Sequence, residues 1–182
     1  MKNLIKNTAL TIVVATIACT TACKKKVEET TNQEELITTV LLNFSNADTT
    51  FVVKYEDLDG AGGNAPTIGT INLKANKTYN VSLVITDASK TPTINISDEV
   101  KAEGTDHQFF YVVNTANVSV KTTDVDANNN PLGLLSTWAT TTANTGSVTL
   151  TLKHQPNIKL NAPGNINVGD TDIEATFAVT IQ

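Results

Sequence analysis

From about residue 35 onward, apolar side chains recur at every second position over short runs, with Asn, Asp, Gly or Pro between them. A period of two belongs to an extended strand with one buried face. Leu36, Val40, Leu42 and Phe44 share one phase; Phe51, Val53 and Tyr55 share the next; Ile71 and Leu73 make a short third. Tyr79, Val81, Leu83 and Ile85 alternate with Thr78, Asn80, Ser82 and Thr86, broken only by Val84. Ile94 and Ile96 follow Pro92, then the apolar run 109–113, Val118 with Val120, and Leu134, Leu135 and Trp138. Val148, Leu150 and Leu152 form a clean run, and Ile173, Ala175, Phe177, Val179 and Ile181 close the chain. No window holds a 3.6-residue period, and thirty-one threonines suit pleated surfaces, where branched side chains pack well. The pattern predicts about ten strands separated by turn clusters, an all-β domain. The expected architecture is an antiparallel β-sandwich, immunoglobulin- or fibronectin-like in the broad sense, with a closed barrel as the alternative.

The first 22 residues follow a different rule. Lys2 and Lys6 precede an uncharged apolar stretch, 8–18, which is the layout of a secretory signal peptide. Two cysteines and then Lys24, Lys25 and Lys26 interrupt the run well before the ~20 apolar residues that a spanning helix needs. Small residues precede both Cys19 and Cys23, the arrangement of a lipoprotein processing box in which the cysteine becomes the acylated first residue. Cys23 is the expected lipidation site, because it ends the uncharged stretch and a polar tether begins directly after it; Cys19 is the alternative. In both boxes a threonine (Thr20 or Thr16) stands where leucine is usual. The expected organisation is a signal peptide over 1–22, a lipidated cysteine and flexible tether over 23–34, and one domain over 35–182. Palmitate or a related acyl chain on Cys23 would hold the protein at a membrane of the cell envelope, the outer membrane being favoured, with the domain in the periplasm or on the cell surface.

Charge and cysteine usage narrow the picture. Thirteen lysines and no arginine stand against eighteen acids, a net charge of −5, which argues against a nucleic-acid binder. Removing Lys2 and Lys6 with the leader leaves 11 lysines against 18 acids, or −7, so attachment to an anionic surface would rest on the lipid. No cysteine follows Cys23, so the domain has no internal disulfide and depends on its core. Five phenylalanines, three tyrosines and one tryptophan are too few for the aromatic girdles of a membrane barrel.

Three constellations could carry chemistry. Asp124, Asp126 and Asn128 place side-chain oxygens at alternate positions of a loop, as calcium coordination requires, with Asn129 where a left-handed residue is wanted. Leu135 stands where the calcium hand has its bidentate glutamate, so the bland alternative is a loop whose Asp and Asn side chains bond their own backbone. Asp57, Asp59, Gly60 and Gly63 form a second acidic, glycine-rich loop; with no helix start and no lysine it does not suit a phosphate, and the expectation is a long binding loop at one end of the sandwich. His107 and His154, the only histidines, could share a transition metal or haem. No serine sits in a nucleophile elbow, and the adjacent acids Asp170 and Asp172, or Asp98 and Glu99, read as solvated strand-end residues, so no enzyme is expected.

The combination of 34–40, Asp57-Leu58-Asp59-Gly60 with Gly63 and Pro66, His107-Gln108-Phe109-Phe110-Tyr111, 130–134, 152–156 and Asp172-Ile173-Glu174 resembles a family of small Bacteroidota envelope lipoproteins. The resemblance covers nearly the whole mature chain and departs from the commonest form at Asn129. It implies an envelope lipoprotein with a β-rich domain and no particular ligand. The expected function is therefore a non-enzymatic binding or structural module whose loops meet an envelope protein or a glycan. The alternatives are a metal or haem carrier built on His107 and His154, and a calcium-stabilised surface protein.

Overall fold

The computed structural model describes residues 36–60, 62–161 and 163–182. Cys19, Cys23 and the tether lie outside the described residues. The described chain is mostly β and forms two open sheets and one short helix. In chain order the elements are β1 Thr39–Ser45, β2 Thr50–Glu56, β3 Thr67–Ile68, β4 Ile71–Leu73, β5 Thr78–Asp87, β6 Ile94–Asn95, α1 Ile96–Ala102, β7 His107–Asn114, β8 Val118–Thr122, β9 Leu135–Thr140, β10 Asn144–His154 and β11 Asp170–Ile181. The larger sheet has seven strands in the order β3-β2-β1-β5-β9-β8, with β6 also paired to β5; the smaller has the order β4-β11-β10-β7.

Alternation decides which side chains meet between the sheets. Val40, Leu42 and Phe44 lie opposite Ile85, Leu83 and Val81 across the β1–β5 pair, and all six are buried. In the smaller sheet Val148, Leu150 and Leu152 lie opposite Phe177, Ala175 and Ile173, again all buried. These two inner faces form one hydrophobic cluster. Trp138 is at its centre, edge-on to Phe44 and Tyr111, with its indole N–H donating to the Ser136 hydroxyl. Such aromatic pairs add about 0.5–1.5 kcal/mol each to the area they bury.

Three departures from the periodicity are physical. Leu36 shares the phase of β1 but precedes it and is exposed, because no partner strand extends that far. Ile96 opens a helix instead of continuing a strand with Ile94. Asn95 caps that helix by accepting from the Ser97 N–H, Asp98 and Glu99 fill its first turn, and Ile96 and Val100 bury a single stripe. Ser97 then closes the β5 edge that β9 does not reach, its hydroxyl accepting from the Ile85 N–H at 2.7 Å. Finally, β4 pairs with β11 in parallel, so the smaller sheet is not wholly antiparallel.

The topology gives the domain two unlike ends. Thr39 opens β1 opposite Glu56 and Thr86, so the chain enters where β2 and β5 finish. At the same end β8 gives way to β9, Phe109 N–H bonds Leu132 O, and His107 pairs with His154. The segments 57–66, 88–106, 123–134 and 155–169 all gather there. Among the described residues the far end carries only the short turns 46–49, 74–77, 115–117 and 141–143, together with Gln182, whose N–H bonds Leu73 O.

Candidate functional site

Every residue singled out from the described sequence lies at the entry end. His107 and His154 are direct cross-strand partners on the inner face of β7 and β10, two residues beyond Leu152 and Phe109, the last apolar pair of that phase. Side chains so placed lie on one face within contact distance, and the two imidazoles stack with centroids 4.6 Å apart and planes inclined by 17°. A β-bulge supplies a third group. Leu152 faces Ile173 while Lys153 faces Thr171, leaving Asp172 as the extra residue. A bulge re-aims its side chain, and Asp172 Oδ2 comes to 3.8 Å from His107 Nε2, the two side chains being 10% and 6% exposed. On its other side His107 Nδ1 lies 3.2 Å from the Glu103 carbonyl oxygen. Burial lowers the pKa of His107, as does the neighbouring His154, and the Glu103 carbonyl offsets this in part.

Proximity is not the geometry a shared metal requires. A metal lies in the plane of each ligating imidazole at about 2 Å from its nitrogen. Planes inclined by only 17° at this separation do not meet within a bond length of both rings. The same stacking leaves no room for a haem between the two. Among the described residues no group of three His, Cys, Asp or Glu side chains is arranged to hold a metal ion.

The acidic loop 124–130 turns its carboxylates inward. Asp124 accepts from the backbone N–H of Gly133 at 2.9 Å and of Leu134 at 3.0 Å. Asp126 Oδ1 accepts from the N–H of Asn128 and of Asn130, at 2.8 and 2.9 Å. Its Oδ2 meets the Lys159 ammonium at 2.9 Å, both side chains being 0% exposed. Lys159 also donates to Gly104 O at 2.6 Å and His107 O at 2.7 Å, so the buried ammonium is held by two hydrogen bonds and one ion pair, Asp126 Oδ2 meeting it as a charge without hydrogen-bond geometry. Burial alone would raise the pKa of Asp126; Lys159 and the Asn130 and Asn128 N–H groups outweigh it and hold the carboxyl below its ordinary value. The loop thus already holds a cation, the lysine ammonium. Asn128 is exposed and enters through its backbone, and Asn129 has the left-handed φ of +62° that its position demands.

Asp57 and Asp59 behave alike. Asp57 accepts from the Gly60 N–H at 3.0 Å, and Asp59 accepts from both the backbone and side-chain nitrogens of Asn64. Gly60 has φ +73°, and a Cβ on Gly63 would lie 2.5 Å from the Asp59 carboxyl carbon. Each glycine is therefore fixed by the loop's own closure. Lys159 went unmarked in the sequence, where it reads as one more loop lysine; only its position between the exposed Ile158 and Leu160 hints at an inward turn.

What remains open at this end is a groove. Between α1 and the 124–135 segment lies a cleft of about 420 Å³, with an aliphatic floor of Leu83, Val84, Leu132, Leu134 and Leu135 and a polar lining of Asn95, Ser97, Asp98, Lys101, Asp124 and Asp126. Val84, the residue that breaks the β5 alternation, forms part of this floor. No known protein family, curated protein or solved structure matches the chain.

Proposed function

We propose that this chain is a bacterial envelope lipoprotein, acylated on Cys23 and related to the small Bacteroidota lipoproteins that it resembles. Its domain, a β-sandwich of broadly immunoglobulin-like kind, acts as a non-enzymatic binding or structural module at the membrane. The observation that carries the module reading is how the polar groups at the entry end are used. Asp57, Asp59, Asp124 and Asp126 bond their own loops and Lys159, which builds a scaffold and leaves the apolar groove beside α1 as the available recognition surface. Its volume falls within the ~300–1,000 Å³ of ordinary ligand clefts. Its aliphatic floor suits an apolar side chain of a polypeptide better than a sugar, which stacks on exposed aromatic rings; Trp138 is wholly buried.

Photocrosslinking from position 135 in intact cells tests this reading. A crosslinker at Leu135 should capture a discrete envelope polypeptide, and Val84→Lys, which places a charge on the groove floor, should abolish the adduct. The reading fails if position 135 yields no adduct, or if the adduct persists in Val84→Lys.

A further inference from the structure

We infer that the entry end of the domain rests on the bilayer, with Leu58, Ile94, Ile158 and Leu160 as its contact points. The inference deepens the anchored reading and rests on acylation of Cys23. Its first support is the placement of exposed apolar side chains. Among the described residues ten large hydrophobic side chains are exposed, and Leu36, Leu58, Ile94, Val125, Ile158 and Leu160 all lie before β1 or in the connections that gather at the entry end. Ile68 and Leu135 lie at strand positions bordering that end, and only Val52 and Val112 sit in mid-strand. The far-end turns 46–49, 74–77, 115–117 and 141–143 contain none of the ten. Scattered single apolar residues are ordinary on a protein surface, but this segregation to one end is not scatter. Leu160 is 62% exposed although its neighbour Lys159 is wholly buried, so the chain turns a lysine inward and a leucine outward.

The second support is where the tether attaches. Leu36 emerges at this same end, thirteen residues after Cys23, and thirteen residues span at most ~45 Å. An acyl chain on Cys23 would tether the chain from its entry end, so the apolar side chains there lie closest along the chain to the anchored residue. A surface so tethered needs little intrinsic affinity, because the anchor supplies a high local concentration. The third support is electrostatic. Asp57, Asp124 and Asp126 accept from backbone N–H groups or pair with Lys159, while Asp59, Asp98, Glu99, Glu103 and Asp170 stay exposed at this end, where an anionic headgroup would be repelled and a neutral one would not. With a mature charge of −7, the fitting partner is a neutral, zwitterionic lipid surface.

The test uses the full acylated chain in phosphatidylcholine vesicles whose acyl chains carry a quencher. An environment-sensitive fluorophore is attached through Asn161→Cys at the entry end or through Ala143→Cys at the far end, both exposed positions. The label at 161 should lose most of its emission, and the label at 143 should keep its own; Leu58→Asp with Leu160→Asp should restore emission at 161. If neither label is quenched while mass spectrometry shows the acyl chain on Cys23, the inference is overturned and the anchor stands. If Cys23 carries no acyl chain, the anchored reading falls and takes the inference with it. If the label at 161 is shielded in cells but unquenched in vesicles, a polypeptide covers this end and the inference is overturned.

Discussion

Replacing Lys159 with methionine keeps most of the side-chain volume and removes one charge from the most buried ion pair in the described domain. Asp126 Oδ2 would then lose the Lys159 ammonium, and the carbonyls of Gly104 and His107 would each lose a donor. Breaking a buried pair by removing one partner costs about 3–5 kcal/mol. Against a typical total stability of 5–15 kcal/mol that is a large fraction. For a domain of this size a loss of 1 kcal/mol lowers Tm by roughly 2–4 °C, so the expected drop is roughly 6–20 °C. Urea unfolding followed by Trp138 fluorescence measures the loss directly. The double variant Lys159→Met with Asp126→Asn keeps an acceptor for the Asn128 and Asn130 N–H groups while removing the stranded charge, and it should be more stable than the single lysine variant. A loss under about 1 kcal/mol for Lys159→Met, the value typical of an exposed pair, would refute the reasoning. So would a double variant as unstable as the sum of the two singles.

Two further outcomes follow from the same end of the domain. His107 has a lowered pKa in the fold, so the folded state binds fewer protons than the unfolded chain, and stability is lost as pH falls through the ordinary histidine value toward the lowered one. Between about pH 7 and pH 5 the unfolding midpoint should fall, and His107→Asn should flatten that slope; an equal slope in both proteins would contradict the assignment. Millimolar calcium should leave Tm unchanged, because Asp124 bonds the Gly133 and Leu134 N–H groups and Asp126 already holds Lys159. A rise in Tm that Asp124→Ala abolishes would restore the calcium site.

The strands were legible where one face is buried along their whole length. The phases of Tyr79–Ile85 and Ile173–Ile181 match the buried positions residue by residue, because a one-residue slip would turn every apolar side chain to water. The helix α1 was hidden: seven residues with two buried positions, Ile96 and Val100, are too few to establish a period, although Asn95 followed by Asp98 and Glu99 is a start signal. The β-bulge at Asp172 leaves no local mark, since it depends on register against Leu152 and Lys153. The histidine pair was visible only as two residues of one type; their contact comes from strand order, and their stacking from direct cross-strand pairing. Lys159 was illegible because its three partners, Gly104, His107 and Asp126, are more than 30 residues away along the chain, and only the closed fold brings them together.

The proposed acylation of Cys23 is the premise on which both the module and its orientation depend, and metabolic labelling with a clickable palmitate analogue reaches it most directly. Label should appear on the natural chain and on Cys19→Ser and vanish from Cys23→Ser. Label that persists in Cys23→Ser, or that never appears on the natural chain, would contradict the account.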